Sequence, residues 1–91
     1  MICKKCLVGG RVQGVFYRAT AARRALDLRI SGYARNRADG SVEVLACGEE
    51  AAVLAFVKWL WIGSSASRVT SVQVSDAVVD AVQPAAGFHT S

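Results

Sequence analysis

The chain has 91 residues, of which 53% are hydrophobic and 20% are charged. This length predicts a single domain of residues 1–91, and the hydrophobic share excludes a chain that stays disordered. One proline and eight glycines exclude a collagen-like or low-complexity chain. Eleven basic against seven acidic residues give a net charge of +4, which suits an anionic partner, either a small phosphorylated metabolite or a nucleic acid.

The sequence predicts a soluble cytoplasmic protein that binds no membrane. Its longest apolar stretch, residues 51–62, contains Lys58 and is too short for a bilayer span, which needs about 20 residues. Residues 1–6 lack the apolar region and cleavage pattern of a secretory signal. The three cysteines are odd in number, whereas a secreted domain stapled by disulfides normally carries an even set.

Apolar periodicity in the first half of the chain predicts three strands and one helix. The first strand ends in a glycine-bearing loop, and a helix follows. Two further strands form a hairpin, because Asp39 and Gly40 tolerate a tight reversal. The predicted bounds are residues 2–9 for the first strand, 10–14 for the loop, 15–28 for the helix, 31–37 and 41–47 for the hairpin strands, and 38–40 for the turn. The predicted apolar stripe of the helix is Val15, Ala19, Ala22 and Leu26.

The second half supplies another helix and another strand. Glu49 and Glu50 suit the positively polarised start of a helix, and Gly63 is a natural stop. The predicted apolar stripe of this helix is Val53, Phe56, Val57 and Leu60. A strand follows at residues 69–77, and the tail from residue 78 is expected to add at most a short edge strand near Phe88.

The order strand, helix, strand, strand, helix, strand is typical of an α+β ferredoxin-like split βαβ sandwich. This fold predicts an antiparallel sheet with both helices on one face. In its usual strand order, 4-1-3-2, the first two strands run parallel and their C-terminal ends share one edge. We therefore expect the loop after the first strand to lie near the end of the second strand.

The loop between the first strand and the first helix carries the clearest functional pattern. Gly9, Gly10 and Gly14 permit turns in which successive N–H groups point inward. The helix N-terminus also favours an anion, and Arg18 can lean back over the loop from the first turn. A guanidinium offers paired N–H donors to two phosphate oxygens. The pattern indicates a phosphate-binding loop, although similar turns also occur with a purely structural role.

Asn36 is the second candidate, because it lies at the predicted end of the second strand. A carboxamide can donate to and accept from one water molecule and so fix its orientation. An asparagine beside a turn can equally serve only to stabilise the hairpin. The residues alone leave both explanations open.

Two segments resemble the signatures of the acylphosphatase family. The first is Gly10-Arg11-Val12-Gln13-Gly14-Val15-Phe16-Tyr17-Arg18, which matches a G-R-V-Q-G-V-x-[FY]-R pattern. The second is SGYARNRADGSVE at residues 31–43, which matches roughly G-x-[VA]-x-N-x-x-D-G-x-V-E. The resemblance covers about residues 6–76, and two long motifs in the right order make it specific.

The resemblance implies metal-independent hydrolysis of the carboxyl–phosphate bond of small acyl phosphates, without a cofactor. It implies that Arg18 binds the phosphoryl group and that Asn36 positions the attacking water. It also implies backbone N–H donors from a phosphate-binding loop made of Arg11, Val12, Gln13, Gly14 and Val15. Inorganic phosphate would be both product and competitive inhibitor, and we expect the enzyme to act as a monomer.

The chain departs from the family pattern at three places. Asp27 lies between two leucines where the family usually has a glycine, and Ser64 follows Gly63 where the family usually has a proline. The tail at residues 87–91 matches the family's last strand only loosely. These departures affect fine geometry and stability rather than the two candidate catalytic residues.

Two other functions compete with an enzyme. RNA-recognition domains share the fold but stack bases on aromatic side chains of the sheet. The predicted strand at residues 41–47 has no aromatic residue, so no nucleic-acid partner is expected. A non-catalytic anion-sensing domain would keep the same loop, and the sequence leaves that possibility open.

No metal site is predicted. Cys3 and Cys6 are three apart, and on a strand such residues point to opposite faces and cannot share a metal. We expect Cys6 to be a small buried residue, and Cys47 and His89 to have no ligand partner.

A basic cluster accompanies the candidate site in the sequence. Arg11, Arg35 and Arg37 could steer an anionic substrate toward Arg18 by long-range attraction. The same residues could equally form an ordinary solvated face.

Overall fold

The sheet places strands side by side that are distant in the sequence. The computed structural model describes residues 1–78 and 87–90. The elements are β1 (Ile2–Arg11), α1 (Tyr17–Asp27), β2 (Ser31–Asn36), β3 (Val42–Gly48), α2 (Glu50–Ile62), β4 (Arg68–Ala77) and β5 (Phe88–Thr90). The strands form one sheet in the order β4-β1-β3-β2-β5. The predicted ferredoxin-like sandwich is confirmed, as is the short strand near Phe88; the tail residues 79–86 and 91 lie outside the described part.

Strand directions place the C-terminal ends of β1 and β2 at the same edge. β3 pairs antiparallel with both β1 and β2, so β1 and β2 run parallel to one another, as predicted. β5 pairs parallel with β2, so the prediction of a wholly antiparallel sheet is wrong at this outer edge. The reason is that β4 runs opposite to β2, and one reversal of chain direction after β4 leaves β5 parallel to β2.

The buried face of α1 differs from the predicted stripe. The helix begins at Tyr17, and its buried residues are Tyr17, Ala21 and Ala25. Leu26, predicted to be buried, is 77% exposed. The predicted stripe was counted from Val15, but Val15 and Phe16 belong to the preceding loop. The helical repeat of buried residues therefore starts at Tyr17, two residues later than predicted.

The second helix and the central strand follow the apolar pattern more closely. The buried residues of α2 are Val53, Phe56, Trp59 and Leu60, so three members of the predicted stripe are confirmed as buried, and Val57 is partly buried. β3 is buried along its whole length, because it is the middle strand of the sheet. Within the described residues, no helix combines the length and hydrophobicity needed to cross a membrane.

The cysteines occupy opposite faces of the sheet. Cys6 is buried in the main core as a free thiol, as expected. Cys3 lies directly opposite Cys47 in the pairing of β1 with β3, and the two form a disulfide. This disulfide was not predicted, since Cys47 was considered only as a metal ligand. Cys3 and Cys47 are 44 residues apart in the sequence and are brought together by the register between β1 and β3. The spacing of the cysteines did not predict this pair.

Candidate active site

The loop that follows β1 begins with a deviation from regular strand geometry. The register between β1 and β4 shifts at Gly9 and Gly10. Gly10 has φ 114°, and a Cβ there would lie 2.2 Å from the carbonyl oxygen of Arg68. Only glycine fits both the positive φ and this close approach. Beyond the shift, Gly10 and Arg11 still pair with β4, and the loop toward α1 starts after Arg11.

Phe16 sits in the left-handed conformation immediately before α1, with φ 61° and ψ 21°. This conformation is unfavourable for a bulky side chain, costing on the order of 1 kcal/mol or more. Its carbonyl oxygen accepts hydrogen bonds from the Thr20 N–H (3.0 Å) and the Thr20 Oγ1 hydroxyl (2.8 Å). The first turn of α1 has no acidic side chain, so its positively polarised N-terminus is not neutralised from within the turn.

Arg18 and the loop line one cavity. This cavity has a volume of about 260 Å³ and is lined by Val12, Gly14, Phe16, Tyr17, Arg18 and Ala19. The side chains of Val12 and Val15 are buried in the core. Arg11 is the last residue of β1 and pairs with Arg68, so the loop begins at Val12, two residues later than the predicted start at residue 10. A concave site with backbone groups and one guanidinium is suited to a small anion.

Asn36 is the last residue of β2 and is exposed. It lines a second hollow, about 420 Å³ in volume, together with Arg35, Arg37, Ala38 and Asp39. Arg18 and Asn36 thus line separate hollows, both at the edge of the sheet where β1 and β2 end.

Gln13 connects these two hollows. Its Nε2 group donates hydrogen bonds to the carbonyl oxygens of Arg37 (2.8 Å) and Ser41 (2.9 Å). Gln13 lies between two residues that line the first hollow, and Arg37 follows Asn36 in the second. The sequence motif pointed to the backbone of Gln13 but gave no indication of what its side chain does.

The turn beyond Asn36 is held by its own side chains. Asp39 Oδ1 accepts hydrogen bonds from the Ser41 hydroxyl (2.6 Å) and the Ser41 N–H (3.0 Å). The hydroxyl bond and then the N–H bond lower the pKa of Asp39 below its usual value. The Gly40 N–H donates to the Arg37 carbonyl oxygen (3.2 Å), which closes the predicted turn at residues 38–40.

Glu43 is a buried carboxylate beneath the hairpin. It is only 1% exposed, and its oxygens contact Arg35 Nη2 (3.1 Å) and Arg37 Nη1 (3.0 Å) and accept a hydrogen bond from the Tyr33 hydroxyl (2.5 Å). Burial opposes ionisation, but the Tyr33 hydrogen bond and the positive charge of Arg35 outweigh it, so the pKa of Glu43 lies below its usual value. The sequence motif contains Glu43 but did not predict its burial by three neighbouring side chains.

These ion pairs also bear on the basic cluster. Arg35 and Arg37, proposed to steer substrate, both form ion pairs with Glu43, and Arg37 Nε lies 4.0 Å from Asp39 Oδ1. Two of the three positive charges therefore have a carboxylate close by, which weakens the long-range attraction they can exert. Steering remains a prediction.

Ser64 reaches the loop from the end of α2. Its hydroxyl donates a 2.7 Å hydrogen bond to the carbonyl oxygen of Val15. A proline at this position would have no such donor. The one sequence sign of this contact was that Ser64 stands where the family usually has a proline. That departure was expected to affect fine geometry and stability, and no contact with the loop was predicted.

The described residues offer no group of three or more His, Cys, Asp or Glu side chains that could hold a metal ion. Cys6 does not offer a nucleophile either, since burial raises the pKa of its thiol to about 11. The chemistry available at this edge therefore comes from backbone N–H groups, a guanidinium and a carboxamide.

The fold and the loop together define a class of protein. It is a ferredoxin-like α+β domain with a cavity formed by the loop between β1 and α1, and with the carboxamide of Asn36 at the end of β2. Comparison with known proteins identifies the family within that class. A family model described as Acylphosphatase matches residues 4–90, so the chain belongs to the acylphosphatase family.

Individual relatives agree with this assignment. The acylphosphatase of Chromohalobacter salexigens is 55% identical over 75 residues, which make up 82% of this chain and 83% of that protein. The crystal structure of acylphosphatase from Bacillus subtilis has a TM-score of 0.92 and 34% identity, covering 100% of this chain and 99% of that one. An acylphosphatase structure from Coxiella burnetii has a TM-score of 0.90 and 32% identity, covering 99% and 92%. Members of this family are hydrolases that act on acyl phosphates, and the enzyme class of the chain follows from its membership.

Proposed function

We propose that residues 1–91 form a single domain that hydrolyses the carboxyl–phosphate bond of small acyl phosphates. The protein's own groups carry out the reaction, without a metal ion. Arg18 and the N–H groups of the loop from Arg11 to Val15 hold the phosphoryl group. Asn36 orients the attacking water. The observation that carries this proposal is the cavity in which Arg18 meets the loop backbone at the start of α1.

The leaving group explains why so few residues suffice. An acyl phosphate releases a carboxylate, whose conjugate acid has a pKa of about 4. Such a group departs without a proton, so the reaction needs no strong general acid. What remains is positioning and the stabilisation of charge on the equatorial oxygens of the phosphoryl group.

Each element of the site has one task in this mechanism. The loop N–H groups and the guanidinium of Arg18 bind the phosphoryl oxygens, over which negative charge is spread in the transition state, while the departing carboxylate takes the electron pair of the broken bond. The carboxamide of Asn36 accepts a hydrogen bond from the attacking water and aligns its lone pair with phosphorus. The products are a carboxylate and inorganic phosphate, and inorganic phosphate inhibits by occupying the same cavity.

Benzoyl phosphate hydrolysis tests the proposal directly. We expect turnover that inorganic phosphate inhibits competitively and that a chelator leaves unchanged. Arg18→Ala and Asn36→Ala should each slow turnover by roughly a hundredfold, since losing one preorganised donor costs about 3 kcal/mol of barrier. Arg18→Ala should also weaken phosphate binding, whereas Asn36→Ala should change it little.

Two control variants match the removed groups. Arg23 is an exposed arginine on the same helix, and Gln73 is an exposed carboxamide on β4. Arg23→Ala and Gln73→Ala should retain wild-type turnover. Phosphate binding without turnover by the wild-type chain would favour the anion-sensing alternative, and turnover lost to a chelator would overturn the metal-independent mechanism.

We also propose that the enzyme is a cytoplasmic monomer whose only ligands are the small acyl phosphate and its products. The Cys3–Cys47 disulfide weighs against the cytoplasmic part, because disulfides are rare in reducing compartments. Sedimentation of the purified chain and fractionation of its source cells test the two statements separately.

A further inference from the structure

The side chain of Gln13 makes an unusual connection for a residue of an anion-binding loop. Its Nε2 group has two hydrogens, and each is used by one carbonyl oxygen, that of Arg37 (2.8 Å) or that of Ser41 (2.9 Å). These partners lie 24 and 28 residues away, on either side of the β2–β3 turn. The carboxamide therefore binds the hairpin and takes no part in the internal bonding of the loop.

The two acceptors belong to a turn that is already fixed. The Arg37 carbonyl also accepts from the Gly40 N–H (3.2 Å), and the Ser41 carbonyl also accepts from the Arg37 N–H (2.8 Å). Asp39 holds Ser41 from the other side. Gln13 thus attaches the loop to a part of the hairpin that is rigid in its own right, directly beside Asn36.

We infer that the side chain of Gln13 is a positioning residue that sets the distance between the phosphoryl-binding loop and the water-orienting Asn36. This inference rests on the proposed function. In-line attack on phosphorus is sensitive to small displacements, and a misplacement of about 1 Å can cost on the order of a hundredfold in rate. Gln13 acts on the rate through the relative placement of the two groups, while the phosphate itself is held by the loop backbone and Arg18.

The Gln13→Met variant tests the inference, since methionine keeps the length of the side chain and its lack of charge but has no N–H donor. We expect kcat for benzoyl phosphate to fall about 10- to 100-fold. The inhibition constant of inorganic phosphate should change by less than about threefold, because the interactions that bind phosphate are retained. Gln73→Met, the same change at the exposed carboxamide on β4, should leave both values unchanged.

A double-mutant cycle separates positioning from a merely structural effect. If Gln13 acts through Asn36, Gln13→Met should change kcat by less than about twofold in an Asn36→Ala background. Equal losses in both backgrounds would overturn the inference, as would a rise in the phosphate inhibition constant with kcat unchanged. Thermal unfolding of each variant identifies any loss that comes from unfolded protein.

A shorter carboxamide at position 13 provides a second test. Gln13→Asn is one methylene shorter and cannot reach both carbonyls, so it should show an intermediate kcat; it supplies the test if Gln13→Met folds poorly. Wild-type activity of both variants would refute the role of Gln13 alone. An inactive wild-type chain would refute the proposed function instead, so the two failures are distinguishable.

Discussion

The hydroxyl of Ser64 and the carbonyl oxygen of Val15 are 2.7 Å apart, and this hydrogen bond joins the end of α2 to the candidate phosphate-binding loop. In a trans peptide the carbonyl and the following N–H point in opposite directions. Fixing the Val15 carbonyl on Ser64 therefore directs the N–H of Phe16 away from α2. Phe16 lines the cavity that also contains Arg18.

We therefore predict that Ser64→Ala weakens phosphate binding. One hydrogen bond is worth about 0.5 to 1.5 kcal/mol, so the inhibition constant of inorganic phosphate should rise by roughly two- to tenfold. Ser65→Ala, at the exposed neighbouring serine, is the matched control and should bind phosphate as the wild type does. Unchanged binding in both variants would show that the loop keeps its conformation without Ser64.

Glu43 predicts a specific pH dependence of stability. Its pKa in the folded protein lies below the usual value of 4.5, so the unfolded chain binds a proton more readily than the folded one. The stabilisation by ionised Glu43 is complete above pH 4.5 and is lost as the pH falls through the lower, folded-state pKa. Glu43→Gln should cost about 1 to 2 kcal/mol of unfolding free energy at neutral pH, reduced by the partial exposure of the two arginines.

The measurement is urea unfolding at neutral pH and again well below pH 4.5. The difference in unfolding free energy between wild type and Glu43→Gln should be smaller at the acidic pH than at neutral pH. Glu49→Gln, at an exposed carboxylate before α2, should cost less than Glu43→Gln at neutral pH, no more than about 0.3 to 1 kcal/mol from the lost interaction with the helix start. A constant gap between wild type and Glu43→Gln across this range would mean that ionisation of Glu43 does not stabilise the fold.

The Cys3–Cys47 disulfide should stabilise the protein without serving catalysis. It joins the start of β1 to the end of β3, whereas the candidate site follows the end of β1. A bridge across a loop of this size contributes about 2 to 4 kcal/mol, so a reductant should lower the urea midpoint while kcat stays unchanged. The Cys3→Ala, Cys47→Ala double variant should no longer respond to reductant; equal midpoints for oxidised and reduced wild type would contradict the prediction.

The Tyr17 hydroxyl should contribute to the free energy of unfolding at both neutral and mildly alkaline pH. Its buried hydroxyl donates a 2.7 Å hydrogen bond to the Leu60 carbonyl and so ties α1 to α2. Burial raises the pKa of Tyr17, which keeps the hydroxyl protonated and able to donate. Tyr17→Phe should cost about 1 to 2 kcal/mol, equally at neutral and mildly alkaline pH. A cost that disappears at alkaline pH would show that the hydroxyl ionises in the folded protein.

The fold could be predicted because apolar periodicity and turn residues gave the type and order of the elements, and in α2 also the buried face. The buried set Val53, Phe56 and Leu60 has the helical spacing that the sequence showed. The pattern failed at α1, where left-handed Phe16 delays the start of the helix, a backbone conformation that side-chain hydrophobicity does not encode. Apolar spacing also did not predict the burial of Glu43, because the side chains that cover it come from β2 (Tyr33 and Arg35) and from the turn that follows (Arg37).

For the candidate site, local motifs predicted roles for Arg18, Asn36 and the loop, because each motif is contiguous in the sequence. The contacts that hold the loop in place are not local. Gln13 reaches the β2–β3 turn, and Ser64 reaches Val15 from 49 residues away. Only the register of the strands and the packing of α2 bring these residues together, so their side-chain roles could not be read from spacing.

The position of β3 between β1 and β2 affects which amino-acid substitutions this enzyme can tolerate. Adjacent strands in any sheet lie about 4.8 Å apart, so the ends of β1 and β2 are separated by about 10 Å, the width of one intervening strand. That gap is set by main-chain pairing, which every sequence with this topology shares. Interior substitutions that conserve side-chain volume can therefore leave this separation of the strand ends unchanged, while Gln13 sets the finer placement of the loop that follows β1.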